Sequence, residues 1–168
     1  TINRRRDLNL KLGFNITVNG LSLVIEIKSI LCVSSFCRQN PKCDFCRASK
    51  SHFLLPFDNH NSVNGIREYA KNKGASYTYA PIQIEDLRFQ SDVLNQQLES
   101  HQESDYRLFA YPAQSNVSGV QHDLGWISNA QDLGWDVLLD ASAFVPTNEL
   151  DLSIDQPEFV SLSFYKIF

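Results

Sequence analysis

From residue 52 onward, short β-branched and aromatic runs alternate with segments whose apolar residues recur at helical spacing. His52 to Phe57 (HFLLPF) reads as a strand. Asp58, Asn59, Asn61 and Ser62 supply loop and N-cap chemistry, and Val63, Ile66, Tyr69 and Ala70 follow on one helical face. Gly74 stops that helix, and Ser76 to Ala80 alternates as a strand. Gln90 to Glu103, with Val93, Leu94 and Leu98, is a surface helix; Tyr106 to Tyr111 is a strand followed by a loop, Pro112 to Val120. A helix around Leu124 to Leu133 is stopped by Gly134, Trp135 to Leu139 is a strand ending on Asp140, and Glu158 to Phe164 is a last strand beside Tyr165 and Lys166. Strands alternating with helical patterns of about ten to fourteen residues predict an α/β domain, with a mostly parallel sheet and helices on both faces.

The chain has 168 residues and is 43% hydrophobic, enough for the core of one ordinary domain. Its 15 Lys+Arg against 19 Asp+Glu leave a net charge of −4 with no basic stripe, so nucleic acid is not an expected partner. No apolar run reaches the roughly 18–20 residues that would cross a bilayer. Thr1 to Asp7 carries Arg4, Arg5 and Arg6 without a signal-type apolar core after it, and the expected location is cytoplasmic. The chain has no Met, and it stops at Phe168 directly after a strand-like run; both features suggest a piece of a longer protein.

Residues 1–51 read as a separate, divergent segment. Leu21 to Val33 is apolar and β-branched, and periodicity alone does not decide between strand and buried helix. Behind it all four cysteines, Cys32, Cys37, Cys43 and Cys46, crowd into a basic, turn-rich stretch. Three readings stay open: a zinc knuckle on four thiolates, reduced thiols without a shared task, or residues that belong to no natural fold.

Ligands of open parallel sheets bind at the carboxyl ends of the strands. That rule selects the loop after Phe57, the loop after Tyr111, Asp140 and Lys166. Taken alone, Asp140 is a loop or N-cap residue and Lys166 a solvated strand-end lysine. Together, at successive strand ends, they are the pair that pyridoxal phosphate requires. The lysine binds the cofactor aldehyde, and the carboxylate keeps the pyridinium nitrogen protonated. Apolar neighbours Phe164, Ile167 and Phe168 would disfavour the charged amine.

The segments DNHNSVNGIREYAKNKGA (58–75), DASAFVPTN (140–148) and SFYK (163–166) resemble the large domain of class V aminotransferase-fold, pyridoxal-phosphate-dependent enzymes. Within these, they are most similar to the amino-terminal domain of molybdenum cofactor sulfurases, kin of the cysteine desulfurases. The resemblance covers residues 52–168, read as a partial cofactor-binding domain of fold type I cut after its Schiff-base lysine. It implies pyridoxal 5'-phosphate as cofactor, an amino-acid substrate (cysteine), sulfur transfer, and a homodimer in the intact protein. Residue by residue, it implies Lys166 as the Schiff-base lysine and Asp140 at the pyridine nitrogen. His60 would lie on the ring and shuttle protons, with Asn116 on the phenolic oxygen and Ser163 and Tyr165 at the phosphate.

The pattern departs from the family in two places. Ala143 stands where desulfurases carry a glutamine, as the sulfurase branch tolerates. Arg4 to Asp7 stands where a small-residue turn would cradle the phosphate, leaving that half of the cradle in question. The isolated chain is expected to show little or no turnover. The readings that compete are a non-catalytic remnant or cysteine-rich interaction module, and another class V chemistry such as transamination or a lyase reaction.

Overall fold

The FLLP run, apolar with no polar alternation, forms a strand buried on both faces, as the centre of a parallel sheet requires. The computed structural model describes residues 16–19, 22–25, 51–72 and 74–167. Within them, β1 (Ile16–Asn19) and β2 (Ser22–Ile25) pair antiparallel, with Ile16 opposite Ile25, so this part of the ambiguous apolar run is strand. The remaining elements are β3 (Ser51–Pro56), α1 (Asn61–Asn72), β4 (Ser76–Ala80), α2 (Ser91–Glu99), β5 (Tyr106–Pro112), α3 (Trp126–Asp132), β6 (Asp136–Asp140) and β7 (Phe159–Ser161). A 3-10 turn, Phe164–Lys166, closes the described chain.

β4, β3, β5, β6 and β7 form one sheet in that order, and all four pairings are parallel. Period-two alternation sorts the strand residues to two faces. On one face Leu54, Phe109, Tyr111, Val137 and Leu139 pack with Leu94 and Leu98 of α2 and with Trp126, Ile127 and Ala130 of α3. On the other, Phe53, Leu55, Ala110 and Leu138 pack with Val63, Ile66 and Ala70 of α1. The expected α/β architecture, with helices on both faces, is the one observed. Among the described residues no helix is long and apolar enough to cross a membrane.

Gly74 (φ +82°) and Gly134 (φ +82°) take the left-handed conformation that ends α1 and α3, the stop role the sequence assigns them. The other boundaries differ in instructive ways. The helix expected over Gln90 to Glu103 ends at Glu99, because Ser100 is extended and His101 takes a left-handed φ of 61°. The last strand, expected to run from Glu158 to Phe164, stops at Ser161. Its only partner among the described residues, β6, ends at Asp140, opposite Ser161, so the next residues have no ladder there to join. Lys166 therefore sits on the 3-10 turn rather than at a strand end.

The amino end of the sheet holds a buried histidine. His52 Nδ1 lies 2.7 Å from Ser76 Oγ and Nε2 2.9 Å from Thr78 Oγ1, and the ring stacks on His101 at 3.6 Å. Burial, reinforced by the neighbouring His101 and opposed by Glu103, pushes the imidazole down to about 4. The unfolded chain takes up this proton near pH 6.5 and the folded one does not until about 4, so stability falls as pH drops through that window. Urea unfolding should show this loss, and His52→Gln should flatten it. An unchanged pH dependence in that variant would assign the acid sensitivity elsewhere. Leu54, fully buried, should lose about 2–5 kcal/mol on truncation to Ala. Ile84, 88% exposed, should change by no more than about 0.5 kcal/mol.

Candidate active site

β5, β6 and β7 end level with one another: Pro112 faces Asp140, and Asp140 faces Ser161. Two backbone bonds carry the alignment past the ladder, Ala113 N–H to the Asp140 carbonyl (2.9 Å) and Ala141 N–H to the Ser161 carbonyl (3.0 Å). Whatever follows these strands is thereby delivered to one place. A cleft of about 260 Å³ opens there, lined by His60, Asn116, Asp140, Ser163, Tyr165 and Lys166 among others. All six site residues expected from sequence share this cleft.

Asp140 is 7% exposed, and its Oδ1 accepts the Ser142 N–H at 3.1 Å. Among the described residues it has no cationic partner, so the buried carboxylate relies on one backbone donor and on the cleft it faces. Across the cleft, Lys166 Nζ donates to Asn116 Oδ1 at 2.8 Å. Of the apolar neighbours expected to surround this amine, Phe168 lies outside the described residues, and Phe164 and Ile167 do not enclose it, being exposed at 42% and 39%. A single turn of 3-10 helix points them outward, whereas a continuing strand would have alternated them.

Asn116 is held by its neighbour. Ser115, 1% exposed, accepts the N–H groups of Val117 and Ser118 on its Oγ (3.3 Å each), and its own N–H donates to the Val120 carbonyl (2.8 Å). This turn, closed at Gly119 (φ +76°), presents Asn116 to the cleft.

His60 is the residue before α1, and its carbonyl accepts the N–H groups of Val63 and Asn64 at 3.0 Å. The expected N-cap candidates, Asp58, Asn59, Asn61 and Ser62, yield that role to the His60 ring. Its Nδ1 accepts the Ser62 N–H (3.2 Å), with Ser62 Oγ 2.8 Å away. Because a backbone N–H can only donate, Nδ1 is an acceptor and the neutral ring carries its proton on Nε2. Asn59 instead ties the turn to the sheet, donating from Nδ2 to the carbonyls of Pro56 (3.2 Å) and Ala110 (3.0 Å).

The sequence reading passes over a second pair. Asp58 Oδ2 lies 2.8 Å from Nε2 of His122, which is 4% exposed and stacked on Phe89 at 4.2 Å. It joins the loop that carries His60 to the loop that carries Asn116. Sixty-four positions separate the two residues, and no local pattern signals a contact across that span.

Among the described residues no group of three or more His, Cys, Asp or Glu side chains is placed to hold a metal. Cys32, Cys37, Cys43 and Cys46, and the Arg4 to Asp7 turn, lie outside the described residues.

No protein-family model matches the chain. Molybdenum cofactor sulfurase of Bombyx mori is 40% identical over 131 residues, covering 69% of this chain and 16% of that protein. The human protein of that name is 38% identical over 130 residues (72% and 14%), and that of Caenorhabditis elegans 30% over 161 residues (92% and 20%). The chain thus spans between 14% and 20% of the length of these relatives. Among solved structures, an apo cysteine desulfurase from Thermococcus onnurineus superposes with a TM-score of 0.62 at 17% identity, over 70% of this chain and 28% of that one. An Escherichia coli cysteine desulfurase gives 0.60 at 18%, over 83% and 33%. The chain is related in sequence to the molybdenum cofactor sulfurases and carries the class V, pyridoxal-phosphate-dependent fold in part.

Asp58→Ala leaves the His122 ring N–H buried without its acceptor. It should lower stability by about 1–3 kcal/mol in urea unfolding. An unchanged midpoint would show that the pair does not join the two loops.

Proposed function

We propose that the cleft binds pyridoxal 5'-phosphate and that the protein uses it to move sulfur from L-cysteine. The observation that carries this reading is the juxtaposition, in one cleft, of a buried carboxylate that lacks a cationic partner among the described residues with a primary amine. A carboxylate so placed calls for an N–H donor bearing positive charge, which a pyridinium ring supplies. An amine lining the same cleft suits a carbonyl carbon. The donor set therefore fits this cofactor.

When bound, the cofactor supplies an electron sink in its ring. The chain's own residues do the rest. Asp140 holds the proton at the ring nitrogen. Lys166 provides the nucleophilic amine, and Asn116, freed from Lys166, offers its amide to the phenolic oxygen. Ser163 and Tyr165 provide hydroxyl donors for the phosphate. His60, whose neutral ring carries its proton on Nε2, lines the cleft and would lie on the cofactor ring to give or take a proton. Ala143 lines the cleft without offering it a polar group. Residues 52–168 are proposed as the cofactor-binding part, preceded by a separate segment over 1–51. The chain alone is proposed to turn over little substrate, and the whole protein to act as a cytoplasmic homodimer with cysteine as its small-molecule partner.

Titrating the purified chain with pyridoxal phosphate should produce a visible absorbance band distinct from that of the free cofactor. Lys166→Ala should abolish the band, and Asp140→Asn should weaken affinity at least about tenfold, the value of a charge-assisted bond. The same band in Lys166→Ala would overturn the reading.

A further inference from the structure

Asp140 opens the segment DASAFVPTN and Asn148 closes it. The backbone between them turns back on itself. The N–H groups of Phe144 and Val145 donate to the Ala141 carbonyl (3.1 Å each), and those of Thr147 and Asn148 to the Phe144 carbonyl (3.2 and 3.0 Å). Asn148 is thereby held at a set position relative to Asp140. The Phe144 carbonyl can only accept, so Asn148 must turn its Nδ2 toward it (3.1 Å). The same Nδ2 meets Thr147 Oγ1 (3.0 Å) and Gln114 Oε1 (3.3 Å). Gln121 Nε2 donates to Gln114 Oε1 (3.2 Å) and to Asn148 Oδ1 (3.1 Å), closing a relay of three amides.

Gln114 and Gln121 face each other as an antiparallel bridge at the base of the loop that carries Asn116. Between them the Ser115 N–H donates to the Val120 carbonyl (2.8 Å) and the Gly119 N–H to the Ser115 carbonyl (3.0 Å). These bonds fix the loop's shape, and contacts from outside fix where that shape stands. Asp58 braces it from the β3–α1 turn through His122, and Arg88 Nη1 donates to the Gln121 carbonyl (3.1 Å). The relay braces it from the segment that begins at Asp140. Gln114 lines the cleft, whereas Asn148 and Gln121 stand outside its lining.

We infer that Asn148 is a positioning residue that sets Asn116 against Asp140 through the relay, an inference that rests on the proposed cofactor reading. By that reading Asp140 and Asn116 take the nitrogen and the phenolic oxygen of one ring. Those two atoms belong to a rigid body, so the two side chains must be held at a matching separation, and a shift of either weakens its bond. The register of β5 and β6 aligns the strands that deliver them, and the relay carries that alignment into the loops beyond the last rung.

The test follows the visible band of the cofactor-loaded chain as pH is varied. A donor on the phenolic oxygen favours its negative charge, so losing that donor raises the pH at which the band changes. Asn116→Ala should raise this midpoint by about one unit, the effect of one hydrogen bond to a charged group. Asn148→Leu, similar in shape and outside the cleft, should raise it by at least about 0.3 unit, a twofold weakening. Gln121→Met opens the relay from the loop side and should act alike, which keeps the test open if Asn148→Leu does not fold. The titratable groups that line the cleft, His60, Asp140, Tyr165 and Lys166, are the same in all of these variants. With Asn116→Ala and Asn148→Leu combined, the midpoint should equal that of Asn116→Ala alone, since no bond remains for the relay to set. An unchanged midpoint in either folded relay variant, whatever its urea stability, would reduce the relay to a structural tie and overturn the inference. So would a shift that adds in full to that of Asn116→Ala. A wild-type chain with no band would overturn the cofactor reading and the inference with it, whereas a band whose midpoint ignores the relay overturns the inference alone.

Discussion

The level ending of three parallel strands is the constraint on which the site depends. Pro112, Asp140 and Ser161 are register partners, and the Ala113 and Ala141 amides bind across the last rungs. These contacts put an amide, a carboxylate and an amine from positions 116, 140 and 166 into one cleft. A slip of one residue in β6 would send Asp140 to the opposite face and Leu139 into the cleft. The fully buried Val137 and Leu139 on one face, and Leu138 on the other, oppose such a slip, because each would have to exchange its packing partners. Core packing and site geometry are thus set by the same register.

The cleft's other wall is held by polar groups rather than apolar ones. Asn59 spans from the β3–α1 turn to Ala110 of β5, and Asp58 reaches His122 beyond β5. Among the described residues, one oxygen each of Asp58 and Asn59 in this turn, and of Asn64 in the first turn of α1, is buried without a partner. Each such group costs about 1–3 kcal/mol relative to a satisfied one. The expense gathers in the turn that places His60, which suits a segment shaped by its site more than by stability.

The alternation of strand and helix was legible because a sheet buried on both faces needs continuous apolar runs, and LLP, LFAY and VLL are such runs. The glycine stops were legible because a left-handed φ is cheap only for glycine. Site membership came from strand ends, a topological rule, supported by the resemblance of DASAFVPTN and SFYK. What escaped the sequence was non-local or depended on a partner's length. β7 is short because β6 ends, and Lys166 rides a turn for the same reason. The His60 ring caps its own helix, a role ordinarily held by Ser, Thr, Asp or Asn. The Asp58–His122 pair and the Gln114–Asn148–Gln121 relay join positions distant in the chain by side chains that have no periodic signature.

The central claim is that Lys166, which shares its cleft with Asp140, is where pyridoxal phosphate attaches. Borohydride reduction of the cofactor-loaded chain, followed by proteolysis and mass spectrometry, tests it most directly. The account predicts the reduced cofactor's mass on the peptide containing Lys166 and on no other lysine. Label spread over surface lysines such as Lys71, or none at all, would contradict it.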